Sequence, residues 1–368
     1  MKPKPNNWHF ARPALAKTYL DLFELGLSSA RGLFARRRMG KTEFLKKDFI
    51  PAAILHGYVV VYANLWDLEI DPATALISEF YKTIEPKGFN KILSRFKPSK
   101  VKASGKIPGV GEGSIEANLQ ENKKVTGTLL MEAMSAFDKT KMQMILVIDE
   151  AQVLAYEENA HFAHALRAAL DIRKDRIKVI FAGSSETTLR KMFGIPSEPF
   201  YNWAPLEPFE LLGKDFVAAM VERVNHISKY PLSLADALEA FAELKNTPEF
   251  FRRYIEYYIT NPMDGSLSAL DVTKSKVFND ESFKRQWDGL LAADQVILSM
   301  IANGISDLHG IAAMQYIGAK LGISDSVDKN TTHNALRRLT DKNIVTKITH
   351  GNYQFEDEAF ADWVKHKD

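Results

Sequence analysis

The 368-residue chain contains no cysteine. Disulfides, thiolate metal sites and a cysteine nucleophile are therefore excluded, and a reducing, cytoplasmic setting fits. It also lacks a dominant charge. With 48 basic and 46 acidic residues the formal balance is +2, so bulk electrostatics do not favour nucleic acid, and any such binding must come from a local patch. Long apolar runs are missing too. The strongest, Met144 to Ile148, is far too short to span a bilayer, so no membrane association is expected. The basic start, Met1 to Asn7, is followed by no apolar run and does not read as a signal peptide. Repeats and low-complexity blocks are absent.

What is present is ordinary globular composition, 46% hydrophobic and 26% charged, on a length that suits two or three domains. Residues 12–26 have helical spacing, with Gly26 as a stop. Strand candidates are Gly32–Ala35, Tyr58–Ala63, Met144–Ile148 and Lys178–Ala182, separated by helical stretches that begin near Lys41, Pro72, residue 123 and residue 158. The second of these strands is apolar without alternation, as expected where both faces are covered. Such alternation of strand and helix predicts an α/β fold, a parallel sheet sandwiched by helices. Residues 97–118, rich in glycine, lysine and serine, read as an inserted loop or hairpin. After Pro208 strands are expected to stop. Residues 213–260 read as helices, and Asn261–Asp280 as a boundary loop.

The segment Ala35–Phe44, ARRRMGKTEF, ends in Gly40-Lys41-Thr42. A phosphate-binding loop needs a tight turn between strand and helix, so that backbone N–H groups ring the phosphates at the helix N-terminus. Its lysine contacts the outer phosphates and its Ser/Thr hydroxyl joins the Mg²⁺ shell. Ala35 stands where such loops usually carry their first glycine, which works if its φ stays negative. Ala35, Arg36, Arg37, Arg38, Met39, Gly40, Lys41, Thr42 and Glu43 are thus the candidate nucleotide contacts. A basic helix start on a solvated face is the competing reading of the same tripeptide. The three arginines would face phosphate, meet another subunit or nucleic acid, or simply be solvated.

A second signal decides between them. Met144–Gln152, MILVIDEAQ, is an apolar strand ending in two carboxylates, 149 − 41 = 108 residues after the lysine. With this strand beside the loop strand, Asp149 would hold the metal and Glu150 would take a proton from the attacking water or orient it. The next strand ends in Ser184-Ser185, either of which is a candidate for the γ-phosphate or that water; Ser185 is equally placed as a helix N-cap.

Taken together, LFARRRMGKTEFL, VVVYANLWD, MILVIDEAQ, VIFAGSSETTLRKMF and LEPFEL resemble the archaeal-type ATPases of the STAND P-loop group, close to AAA+ ATPases and origin-recognition initiators. The resemblance covers roughly residues 10–260. It implies a P-loop ATPase core (1–207), a helical lid (208–265) and a C-terminal winged-helix domain (285–368). It also implies ATP and Mg²⁺ as cofactors, and a lid arginine, Arg252 or Arg253, closing over the nucleotide; Arg173 and Arg190 are weaker candidates for an arginine reaching another subunit. The lid segment here has Asn246-Thr247 where the family commonly has glycine before the proline.

The last third reads independently as helix (Asp294–Ala302), helix (308–320), helix (Thr331–Val345, capped by Thr331 or Asn330) and a hairpin turning at His350–Asn352, the winged-helix order. Lys329, Asn334, Arg337, Arg338 and Lys342 are candidate contacts to double-stranded DNA, opposed by Asp325, Asp328 and Asp341; a regulatory or oligomeric protein contact is the alternative. The expected function is an ATP-hydrolysing switch with Lys41, Thr42, Asp149, Glu150 and Ser184 at its centre. The alternatives are a nucleotide-gated DNA-binding protein with little hydrolysis and a scaffold that assembles on ATP.

Overall fold

The computed structural model describes residues 8–66, 71–84, 127–278, 281–323, 326–349 and 352–367. The inserted segment 97–118, Asp325 and the His350-Gly351 turn lie outside the described residues. The N-terminal half runs α1 (Pro13–Glu24), β1 (Ala30–Phe34), α2 (Lys41–Leu55), β2 (Val59–Asn64), α3 (Pro72–Ile84), α4 (127–138), β3 (Met144–Asp149), α5 (Ala160–Asp171), β4 (Ile177–Gly183), α6 (Glu186–Gly194) and β5 (Leu206–Pro208). The strands form one parallel sheet in the order β2-β3-β4-β1-β5. This is the α/β fold of a P-loop nucleoside triphosphatase.

Two of these placements differ from expectation. The acidic strand β3 does not lie beside the loop strand β1. Fully buried β4 is inserted between them, pairing Val179 with Ala30 on one side and with Leu146 on the other. The family's lid entry, Leu206-Glu207-Pro208, is instead a fifth strand on the sheet edge, and the boundary expected at 207/208 falls inside it. Pro208 has no N–H to give, which suits only an edge.

Alternation along β3 divides the core. Met144, Leu146 and Ile148 pack with Phe80 and Phe137 on one face, while Ile145 and Val147 pack with Phe44, Phe49 and Phe23 on the other. Helix α2 contains a π turn at Leu45–Phe49, just before Pro51. Proline has no N–H for the carbonyl four residues back and its ring crowds that oxygen; the wider turn relieves both.

The second half is helical: α7 (Lys214–Ile227), α8 (Leu234–Glu243), α9 (Pro248–Thr260), α10 (Gly265–Phe278), α11 (Glu281–Asp288), α12 (Ala292–Ala302), α13 (Ile311–Lys320) and α14 (Lys329–Asp341). The hairpin β6 (Val345–Thr349) and β7 (Asn352–Phe355) and a final helix α15 (Glu358–Lys365) follow. The boundary loop expected at 261–280 is mostly α10. Its serines and leading glycine obscure it, but Ala269, Leu270, Thr273, Val277 and Phe278 are buried. One apolar cluster runs from Phe216 to Val364 through this helix, so helices α7–α9 and the C-terminal unit share a core. The α14 cap is Asp328, whose side chain accepts from the Asn330 N–H, rather than Asn330 or Thr331.

Candidate nucleotide-binding site

Helix α2 starts at the C-terminal edge of the sheet, where open parallel sheets bind ligands. Gly40 has φ 84°, a left-handed turn that delivers the chain into the helix. A cavity of about 370 Å³ opens here. Arg36, Arg37, Arg38, Met39, Gly40, Lys41, Thr42 and Glu43 line it, with Glu150, Ser184 and Arg252. Ala35 keeps a φ outside the left-handed region, as the substitution requires. It is buried in the apolar core and does not line the cavity, which corrects its place among the contacts.

Lys41 is only 6% exposed. Burial pulls its ammonium pKa down, while Asp149 and Glu150 push it up. Asp149 is wholly buried behind Thr42. Its Oδ2 accepts from the Thr42 hydroxyl at 2.7 Å and from the Tyr62 hydroxyl at 2.9 Å; its Oδ1 accepts from the Glu150 N–H at 3.1 Å. The loop and the acidic strand therefore converge although another strand separates β1 from β3. A hydroxyl and a carboxylate, both hard oxygen donors, suit magnesium.

Glu150 stands at φ 55°, an uncommon backbone for a non-glycine residue at a strand end. Its Oε2 accepts from Ser184 Oγ at 2.9 Å and from Gln152 Nε2 at 2.5 Å. A Cβ at Gly183 would collide with Gln152 Oε1, so a glycine at the end of β4 leaves room for this clamp. The two serines have separate jobs. Ser184 faces the cavity; Ser185 caps α6 and donates to Asn343 Oδ1 at 2.8 Å.

The three loop arginines also diverge. Arg37 lies 4.7 Å over the Trp66 ring. Arg38, at φ 67°, reaches Asp357 at 2.8 Å and lies over Phe250. Of the two arginines expected in a lid, Arg252 reaches Glu43 at 2.8 Å and lines the cavity, whereas Arg253 pairs with Glu249 and does not line it. Burial would raise the Glu43 carboxyl, but hydrogen bonds from Arg252 and Lys47 outweigh it and hold the pKa at about 2. Arg173 is buried against Asp138 and Arg190 is paired with Glu186, so within this chain both serve local contacts.

Several site residues escaped the sequence reading. His9, Phe10, Arg12, Asp48, Leu212 and Pro248 also line the cavity. Pro51 inside a helical run was the available signal for Asp48, since it marks the π turn that carries it. Nothing local marks His9, which reaches Glu43 and Asp48 across more than thirty residues. Among the described residues no helix is long and apolar enough to cross a membrane.

No family model and no curated protein matches the chain in sequence. Solved structures do match in fold. A Walker-type ATPase of Pyrococcus abyssi superposes with a TM-score of 0.62 at 18% identity, covering 99% of both chains. The ORC2 protein of Aeropyrum pernix, in ADPNP and ADP complexes, gives 0.57 at 14% identity, covering 96% of this chain and 92% of that one. The ORC1 protein of the same organism, in complex with DNA, gives 0.50 at 12% identity, covering 98% and 94%.

Proposed function

We propose that the chain binds ATP with magnesium and hydrolyses it to ADP and phosphate, as an AAA+-type switch. The observation that carries this is the Thr42–Asp149 hydrogen bond of 2.7 Å at the head of the helix that also presents Lys41. The nucleotide complexes of the ORC2 relative support it. Lys41 and the backbone around Gly40 would hold the β- and γ-phosphates, with Arg36 and Arg37 alongside. Magnesium, held through Thr42 and Asp149, would offset charge on the β- and γ-oxygens. Glu150 would take the proton of the attacking water at Oε1 while Ser184 and Gln152 keep Oε2 in place. Arg252 would report lid closure through Glu43.

The C-terminal unit would sense this chemistry. Asp357 holds the loop residue Arg38, and Asn343 holds Ser185, the neighbour of the Glu150 partner Ser184. Nucleotide entering beside Arg38 would compete with Asp357 for it and shift the C-terminal unit. We assign that unit (285–368) as a winged helix, with the ATPase core ending after β5 and the lid continuing through α10.

Magnesium-dependent phosphate release tests the activity. Lys41→Ala is expected to lose at least ~100-fold in rate; release equal to the wild type would remove the assignment. Glu150→Gln is expected to bind ATP with near-wild-type affinity yet turn over at least ~100-fold more slowly; normal turnover would reject Glu150 as the base.

Nucleotide-gated DNA binding is the second reading. It is favoured by exposed Lys329, Asn334 and Arg337 on α14 and by the DNA complex of the ORC1 relative. Gel shifts at rising salt test it, because phosphate-driven binding weakens steeply with salt. Sizing with and without an ATP analogue tests for a homo-oligomer.

A further inference from the structure

The Asp149 carboxyl has no exposed surface. A polar group buried in that way must be met by hydrogen-bond partners, and among the described residues three donors reach it. Oδ1 accepts from the Glu150 N–H at 3.1 Å. Oδ2 accepts from two hydroxyls, Thr42 at 2.7 Å and Tyr62 at 2.9 Å. In the function proposed above Thr42 has a second task, offering a lone pair to magnesium while its proton stays on Oδ2. Tyr62 has no such task. It does not line the cavity, so its bond to Oδ2 is independent of what the cavity holds.

The fold explains how a tyrosine on another strand comes to this carboxylate. Strand β2 is the edge of the sheet and pairs with β3 from Val59 to Asn64. Tyr58, Val60 and Tyr62 share one face of it and pack against the cluster that holds Phe44 and Phe49 of α2. Lys46, from the π turn of α2, places Nζ 4.6 Å from the centre of the Tyr62 ring and pins it to the helix. In register Tyr62 is level with Val147, two residues short of Asp149, and the length of the phenol spans that gap.

We propose that Tyr62 is a positioning residue for magnesium. Its O–H holds Asp149 Oδ2 beside the Thr42 hydroxyl, so the two oxygens are already together when the metal arrives. This rests on the nucleotide reading above and adds the residue that sets how strongly magnesium and nucleotide reinforce each other. Groups that orient a metal-binding carboxylate affect metal affinity without touching the metal. Without the phenol oxygen, Oδ2 would keep the Thr42 hydroxyl alone.

Calorimetric titration of the full chain with an ATP analogue whose β–γ link resists hydrolysis, in EDTA and in excess magnesium, tests this. The readout is the ratio of the two affinities. Tyr62→Phe keeps the ring and its packing on α2, so it removes only the hydroxyl. It is expected to bind the analogue as the wild type does in EDTA, and to lose about tenfold in magnesium. A ratio within about twofold of the wild type would overturn the inference while leaving nucleotide binding intact. Equal weakening in both conditions would overturn it too, since a merely structural tyrosine behaves in that way. A wild type that binds no nucleotide, or binds it equally with and without magnesium, removes the proposed function as well.

Discussion

The phosphate loop and helix α14 each carry consecutive arginines, Arg36 to Arg38 and Arg337-Arg338, and each group divides between inside and outside. In the loop, left-handed backbone at Arg38 turns its guanidinium toward Asp357, while Arg37 lies on Trp66 at the cavity. In the helix, successive residues point about 100° apart. Arg338 therefore meets wholly buried Asp294, donating at 2.5 Å, while Arg337 faces solvent. Neighbouring charges in a chain are thus poor evidence for one shared patch. The loop spends one arginine on tying two halves of the molecule together; the helix spends one on its own fold, leaving a smaller basic surface than the letters suggest.

That comparison can be broken by substitution. Arg338→Ala leaves a buried carboxylate without its counter-charge. It should cost about 2–3 kcal/mol in urea unfolding, below a fully buried pair because the guanidinium is about a third exposed. Arg337→Ala should stay within about 0.5 kcal/mol; similar losses from both would erase the distinction. Arg38→Ala removes a half-buried ion pair between the N-terminal half and the C-terminal unit. About 1 kcal/mol of local stability should go, read as faster amide exchange in α15 with the sheet unchanged; unchanged α15 would deny Arg38 its tethering role.

The smallest effect concerns Glu43 and its partner Arg252. Its ordinary pKa is 4.5 and its folded pKa about 2, so its contribution is present above pH 4.5 and is lost as pH falls towards 2. The group is partly exposed, so below about 1 kcal/mol is expected. Glu43→Gln should flatten the acid limb of the stability profile in that window, and an unaltered limb would mean the Arg252 contact contributes nothing.

Much of the site was legible in the letters because its chemistry is local. Gly40-Lys41-Thr42 must sit together to turn the chain and cap the helix, and Asp149-Glu150 must end an apolar strand. The pairing of Thr42 with Asp149 followed from those two motifs even though the strand order assumed was wrong. Helix α10 was missed because its buried face is built from small and mixed residues, Ala269 and Thr273 among them, with serines on the rest. Strand β5 was missed because three residues carry no period.

By itself the sequence settled the α/β alternation, the place of the phosphate loop and the acidic strand end, since each depends on side-chain period or turn chemistry within about ten residues. Only the tertiary structure decided that β4 lies between β1 and β3, that Arg38 belongs to Asp357, and that Asp48 and His9 join the cavity lining. Those contacts join positions tens to hundreds of residues apart. Hydrophobic burial is non-directional and selects which faces meet; hydrogen-bond geometry, which no short stretch contains, then selects the partners.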